Sequence, residues 1–231
     1  MSTLPTALII GASRGLGLAL ADEYLKRGWQ VIATVRGDRH TLLHDRAAPA
    51  NGRLEIAQVD IDVEDEVAAL RRQLQARRLD LLFVNAGIAI NPDAAIGAVS
   101  TDDFVRMMVT NALSPMRLIE SFESLVPPTG AIAAMSSELG SVGDNIDGGW
   151  EAYRASKAAL NTLMRSFTAR HPADPRSLLL IAPGWVRTDM GGPGAVLSIE
   201  ESIPRVVDVI SAQAGHAGLS YLDYRGRAVP W

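Results

Sequence analysis

The sequence contains no cysteine. That excludes disulfides, thiolate metal sites and cysteine nucleophiles, and it fits a reducing compartment. Aromatic residues are scarce, at 5%, and no basic run or aromatic-basic interleaving occurs. With a net charge of -4 and a pI near 5.6, nothing points to nucleic acid as a partner. No apolar stretch approaches membrane length. The first one, "ALII" at 7–10, stops at Gly11 and is too short for a signal or a span. These absences predict a soluble, cytoplasmic protein with no membrane partner. There is no G-x-S-x-G elbow, and no Gly-Lys-Ser/Thr follows the first glycine-rich stretch, so a P-loop is excluded. Of the four histidines, only His40 and His44 stand four apart. They lack an acidic ligand set, so no metal site is expected.

What is present is a chain of 231 residues, 48% hydrophobic and 21% charged, ample for a packed core. Short β-rich runs alternate with helical patterns. Strands are predicted at 6–11, 30–35, 53–60, 79–84, 130–136, 177–182 and 219–223. Most are continuous apolar runs, as strands buried on both faces must be. Helices are predicted at 16–28, 64–78, 101–125, 151–170 and 198–213, with Val67, Leu70 and Leu74 forming one stripe. This alternation predicts a doubly wound α/β Rossmann fold: a seven-stranded parallel sheet with helices on both faces. No linker or repeat interrupts it, so residues 1–231 are expected to form one domain. Ligands of such sheets sit at the carboxyl ends of the strands.

After the first strand comes "GASRGLG", with Gly11, Gly15 and Gly17. The spacing is not G-x-G-x-x-G, but the physics is similar. Glycines allow a tight turn and let backbone approach a pyrophosphate at a helix start. Alone, the stretch is equally a helix entry packed with small residues. Further on, "WEAYRASKAALN" at 150–161 puts Tyr153 and Lys157 one helical turn apart, on one face. The pair is either a tyrosine lying on a lysine stem or a proton donor beside its acidifier. A nearby ammonium favours phenolate and brings a phenol toward a useful pKa.

In order along the chain stand "GASRGLG", "NAG" at 85–87, "SS" at 136–137, "YRASK" at 153–157 and "APGWVRT" at 182–188. This ordered set resembles the short-chain dehydrogenase/reductase family, over essentially the whole chain. The "SVGDNIDGGW" loop and the closing "LDYRGRAVPW" look most like the branch of carbonyl reductases and C-factor signalling proteins. The resemblance implies NADP(H) or NAD(H) held by Gly11, Ser13, Arg14, Gly15, Leu16 and Gly17, with Asn85, Ala86 and Gly87. Asp60 and Ile61 resemble the adenine-contacting pair, although Asp60 is equally placed to cap the helix after it. Val84 stands where the family often has a second asparagine. Pro183 and Gly184 would turn the chain past the nicotinamide, and Val186 and Thr188 would meet its carboxamide.

The cofactor choice follows from charge. The second strand ends in Val35 and Arg36, not in an acid, and Arg14 lies in the glycine turn. Two guanidiniums suit a 2′-phosphate, although Asp38 is near. NADP(H) is therefore expected over NAD(H).

The resemblance further implies that Tyr153 is the proton donor, Lys157 its acidifier and ribose ligand, and Asn111 the holder of a relay water. The serine that polarises the carbonyl is taken as Ser137, because Gly140 stands three residues after it. Trp185, Met190 and the glycine-rich 191–196 run are placed to line or cover substrate. The expected activity is NADPH-dependent reduction of a small or medium ketone or aldehyde. The alternative is a cofactor-binding, C-factor-like signalling or regulatory protein with weak catalysis. Relatives are often dimers or tetramers through the helices at 101–125 and 151–170, and some are monomers, so a homodimer or homotetramer is one of the states the resemblance allows.

Overall fold

A computed structural model describes residues 4–231. Seven strands form one sheet: β1 (Thr6–Ile10), β2 (Gln30–Val35), β3 (Leu54–Gln58), β4 (Leu81–Val84), β5 (Ala131–Met135), β6 (Ser177–Ala182) and β7 (Gly218–Asp223). Their order is β3-β2-β1-β4-β5-β6-β7, and every neighbouring pair is parallel. The helices are α1 (Gly15–Lys26), α2 (Glu64–Gln73), α3 (Thr101–Met108), α4 (Ser114–Phe122), α5 (Glu151–Arg170) and α6 (Ile199–Ala212). The doubly wound α/β class expected from the alternation is the one observed.

The continuous apolar strands have a two-sided explanation. Leu8 and Ile10 of β1 join a core built with α2, α4 and α5. Ala7 and Ile9 face the other way, into a core with α1 and α6. Successive side chains of a strand point to opposite faces, so both sets must be apolar. On α5, Tyr153, Lys157, Leu160, Met164 and Phe167 are all buried. They follow helical spacing along the stripe that faces the sheet. No helix among the described residues is long and apolar enough to cross a membrane.

Two helical spans differ from expectation by more than a residue or two at an end. Residues 101–125 are not one helix. Between α3 and α4 lies a π turn, Val109–Leu113. Pro115, at the start of α4, has no N–H for the carbonyl of Asn111, and its ring crowds that carbonyl. The Ser114 N–H instead reaches back to the Val109 carbonyl, which widens the turn. Helix α2 stops at Gln73 rather than at 78, and a turn follows in which Arg77 N–H bonds the Leu74 carbonyl at 2.9 Å.

The strand sequence reverses between β1 and β4. Ligands of open α/β sheets bind at such a switch point.

Candidate active site

A cavity of about 590 Å³ opens at the carboxyl ends of the strands. It is lined by the glycine turn (Gly11, Ser13, Arg14, Gly15, Leu16), Arg36, Asp60 and Ile61, and Asn85, Ala86 and Gly87. Ser137, Tyr153 and Lys157 join them, with Pro183, Gly184, Val186 and Thr188. Residues spread over most of the chain are thus brought to one wall system. Gly17 and Asn111 do not line the cavity; both are packed behind it.

The glycine turn explains itself sterically. Gly11 has φ +86°, and a Cβ there would come within 2.9 Å of the Ala86 backbone. At Gly17 a Cβ would lie 2.0 Å from the Gly11 carbonyl oxygen and 2.6 Å from the Asn85 amide nitrogen. Asn85 Nδ2 donates to that same carbonyl at 2.8 Å, so this asparagine locks the turn as well as lining the cavity. Gly17→Ala is therefore expected to destabilise the protein by about 2–3 kcal/mol in urea unfolding. Gly15→Ala meets open space but a φ of +58° and is expected to cost only about 1–2 kcal/mol. Equal costs at the two sites would contradict the packing argument. Helix α1 has no side-chain cap and no acid in its first turn. Its free N–H groups, opening on the cavity, suit an anionic group.

Tyr153 and Lys157 share the buried face, and the lysine is turned toward a backbone carbonyl. Lys157 Nζ lies 5.8 Å from the Tyr153 ring centroid and donates to the Met135 carbonyl at 2.9 Å. Burial pushes Tyr153 up to about 12, opposed by hydrogen bonding to Ser137. Burial also pulls Lys157 down to about 8. In this structure burial of the phenol sets the direction of its shift, with the ammonium turned to a backbone carbonyl.

The choice between the two serines has a structural basis. Ser136 is buried and donates to Asn161 Oδ1 at 2.7 Å, whereas Ser137 is half-buried beside Tyr153. Ser137 Oγ accepts from Leu139 N–H at 3.2 Å, which leaves its proton free to donate. The glycine three residues on is required by close approach: a Cβ on Gly140 would meet Asn161 Nδ2 at 2.9 Å and Lys157 Cβ at 3.0 Å.

Asn111 sits in the π turn. Its Oδ1 accepts from Ile88 N–H at 2.7 Å, and its Nδ2 donates to the Ile88 carbonyl at 2.8 Å and to Ser156 Oγ at 2.9 Å. Behind Gly87, Asn111 Oδ1 and Lys157 Nζ converge, and a Cβ on this glycine would lie 3.3 and 3.4 Å from them. Asp60 does not cap α2. Its Oδ1 accepts from Asp62 N–H at 3.0 Å, and Val63 occupies the cap position.

Three participants were not singled out from the sequence, although Trp150 closes the "SVGDNIDGGW" loop. Trp150 lines the cavity and packs edge-on against Tyr153, with ring centroids 5.6 Å apart. It follows Gly148 and Gly149, and all three have positive φ; the Gly-Gly pair before a helix was the available signal. Arg154 holds the turn by donating to the Gly149 and Gly148 carbonyls at 2.8 and 3.0 Å. Asp189 pairs with Arg14 across the cavity mouth, which no local pattern reveals. Trp185 and Met190 do line the cavity. Trp185 Nε1 donates to the Gly191 carbonyl at 2.8 Å. Arg36 is exposed and has no carboxylate partner among the described residues.

This arrangement agrees with comparisons to known proteins. Residues 5–194 match the family model described as short chain dehydrogenase. The C-signal of Myxococcus xanthus is 38% identical over 161 residues, covering 66% of this chain and 93% of that protein. A Burkholderia multivorans structure, described as a short-chain dehydrogenase/reductase with bound NADP, is 57% identical, with TM-score 0.97 and coverage of 99% and 100% of the two chains. A carbonyl reductase from Pseudomonas aeruginosa PAO1 in complex with NADP is 38% identical, with TM-score 0.92 and coverage of 99% and 100%. From the glycine turn through the Tyr153–Lys157 pair to the Pro183–Gly184 bend, this chain belongs to the short-chain dehydrogenase/reductase family of oxidoreductases.

Proposed function

We propose that the protein is an NADPH-dependent reductase of small or medium ketones and aldehydes. The observation that carries this reading is the convergence of Ser137, Tyr153 and Lys157 on the cavity that the glycine turn and Arg36 also line. The donor set fits the cofactor. The free N–H groups of α1 suit a pyrophosphate, and Arg14 and Arg36 suit a 2′-phosphate. Relatives of this chain hold NADP in their structures. When bound, NADPH supplies the hydride that reaches the carbonyl carbon.

The protein's own groups do the rest. Ser137 Oγ–H donates to the carbonyl oxygen and stabilises the charge that develops there. Tyr153, kept protonated by burial, gives that oxygen its proton. Lys157, which donates to the Met135 carbonyl in this structure, would hold the nicotinamide ribose and favour phenolate at the tyrosine oxygen when the cofactor is bound. Asn111 Oδ1, beside Lys157, retains a lone pair for the water that returns a proton to Tyr153.

Fluorescence titration with NADPH and NADH, followed by a ketone and aldehyde panel, tests the reading. Tight NADPH binding, weak NADH binding and NADPH oxidation on some panel members are expected. Arg36→Ala should weaken NADPH about 10- to 100-fold and leave NADH unchanged, as removal of a charge-assisted bond implies. Binding of neither cofactor would sink the proposal. Tight NADPH binding with no turnover on any carbonyl would favour the regulatory alternative, to which the C-signal likeness belongs.

A further inference from the structure

The residues that follow β5 are held by a buried polar set that the reaction itself does not use. Tyr221, on β7, donates its hydroxyl to the Ser137 carbonyl. Asn161, one turn beyond Lys157 on α5, donates to the Gly140 carbonyl at 3.1 Å. Its Oδ1 accepts from the Ser136 hydroxyl at 2.7 Å. Tyr221, Asn161 and Ser136 are 3%, 4% and 2% exposed, so none of them can exchange these partners for solvent. Trp231 packs on Tyr221, with ring centroids 5.4 Å apart, and the Trp231 carbonyl accepts from Gly143 N–H at 2.9 Å. Both ends of the Ser137–Gly140 turn are thereby anchored, one from β7 and one from α5.

We propose that Tyr221 and Asn161 are positioning residues that aim the Ser137 hydroxyl into the active site. The inference rests on the reductase reading for its kinetic readout but not for its structural one. Ser137 Oγ sits two bonds from a backbone whose carbonyl is tethered by Tyr221. Without the tether, the short turn between β5 and Gly140 can rotate, and the hydroxyl loses its alignment. Misplacements on the scale of 1 Å at a reacting centre cost up to about 100-fold in rate.

The experiment compares wild type, Tyr221→Phe, Ser137→Ala and the double variant, with NADPH and 4-nitrobenzaldehyde as probes. Tyr221→Phe should lower kcat by about 10- to 100-fold, leave the NADPH dissociation constant within about twofold, and keep the unfolding midpoint close to that of wild type. In the Ser137→Ala background it should have no further effect on kcat, because the group it aims is gone. A loss of kcat that repeats in the Ser137→Ala background, or no loss at all, overturns the proposal. If Tyr221→Phe does not fold, Asn161→Ala frees the other end of the turn and carries the same expectation. If wild type does not reduce the probe or any other carbonyl, the reductase reading fails by itself. The positioning role is then decided by the crystal structure of Tyr221→Phe. A displaced Ser137 hydroxyl supports it, and an unmoved one overturns it.

Discussion

Replacing Tyr153 with phenylalanine is expected to lower kcat for carbonyl reduction by about 10²- to 10⁴-fold, the usual worth of a positioned acid. NADPH affinity should stay within about twofold, because the change removes one hydroxyl and keeps the ring that packs on Trp150. The fold should tolerate it. Tyr153 is 8% exposed, and its hydroxyl is raised by burial to about 12, so the phenol is buried neutral and its loss leaves no orphaned charge. Steady-state kinetics with cofactor titration on the same preparation separates the two effects. Turnover persisting near the wild-type rate would remove Tyr153 from the mechanism. A parallel loss of cofactor binding would mean that the residue shapes the cavity rather than donating a proton.

Lys157→Met is expected to abolish measurable activity and, at pH 7, to stabilise the cofactor-free protein. Burial pulls Lys157 from 10.5 down to about 8, with no carboxylate to offset it. Holding that ammonium charged inside the protein costs on the order of 3 kcal/mol at neutral pH. The variant loses the bond to the Met135 carbonyl, worth about 1 kcal/mol. A net gain of roughly 1–2 kcal/mol follows, or several degrees in the melting midpoint for a chain of this size.

The pH dependence has a definite sign. Below pH 8 lysine is protonated in both folded and unfolded chains, and the full penalty applies. Between about 8 and 10.5 the unfolded chain holds the proton and the folded one has released it, so wild-type stability rises with pH and the advantage of Lys157→Met shrinks. Tyr153 acts in the opposite sense and only above 10, where the folded chain keeps a proton that the unfolded chain has lost. Melting curves at pH 7 and 9.5 therefore isolate the lysine. A variant less stable than wild type at pH 7 would show that Lys157 is held by more than one carbonyl. An activity-bearing charge kept at the expense of stability is a common compromise at functional sites.

The paired Arg14 and Asp189 bear on the cofactor measurement. Both side chains are about three-quarters exposed, at 74% and 76%, so the pair adds little to stability. It does occupy one of the two guanidiniums proposed to hold a 2′-phosphate. Arg36, which has no such partner among the described residues, is the better single substitution for testing cofactor choice.

Strand and helix order were legible in the sequence because each β-run is apolar on both faces and each helix carries one buried stripe. That patterning, with right-handed crossovers, leaves few topologies. The parallel sheet and the ligand site at its carboxyl ends follow from it. The glycine spacing, Asn85–Gly87, Ser137, Tyr153–Lys157 and Pro183–Gly184 were placed by resemblance to the family, and each stands just after a strand or on the helix beside one. Even the break in 101–125 had a local signal in Pro115, which cannot donate to Asn111.

Only the tertiary structure decided how these groups act on one another. Whether Lys157 acidifies Tyr153 depends on where its ammonium turns and how dry the pocket is, and helical spacing fixes neither. The Arg14–Asp189 pair joins positions 175 apart in sequence, and Tyr221 reaches Ser137 across 84. Local pattern records which side of an element a residue faces. It carries no record of what stands opposite, because that is settled when separate elements pack and each buried polar group must find a partner from another part of the chain.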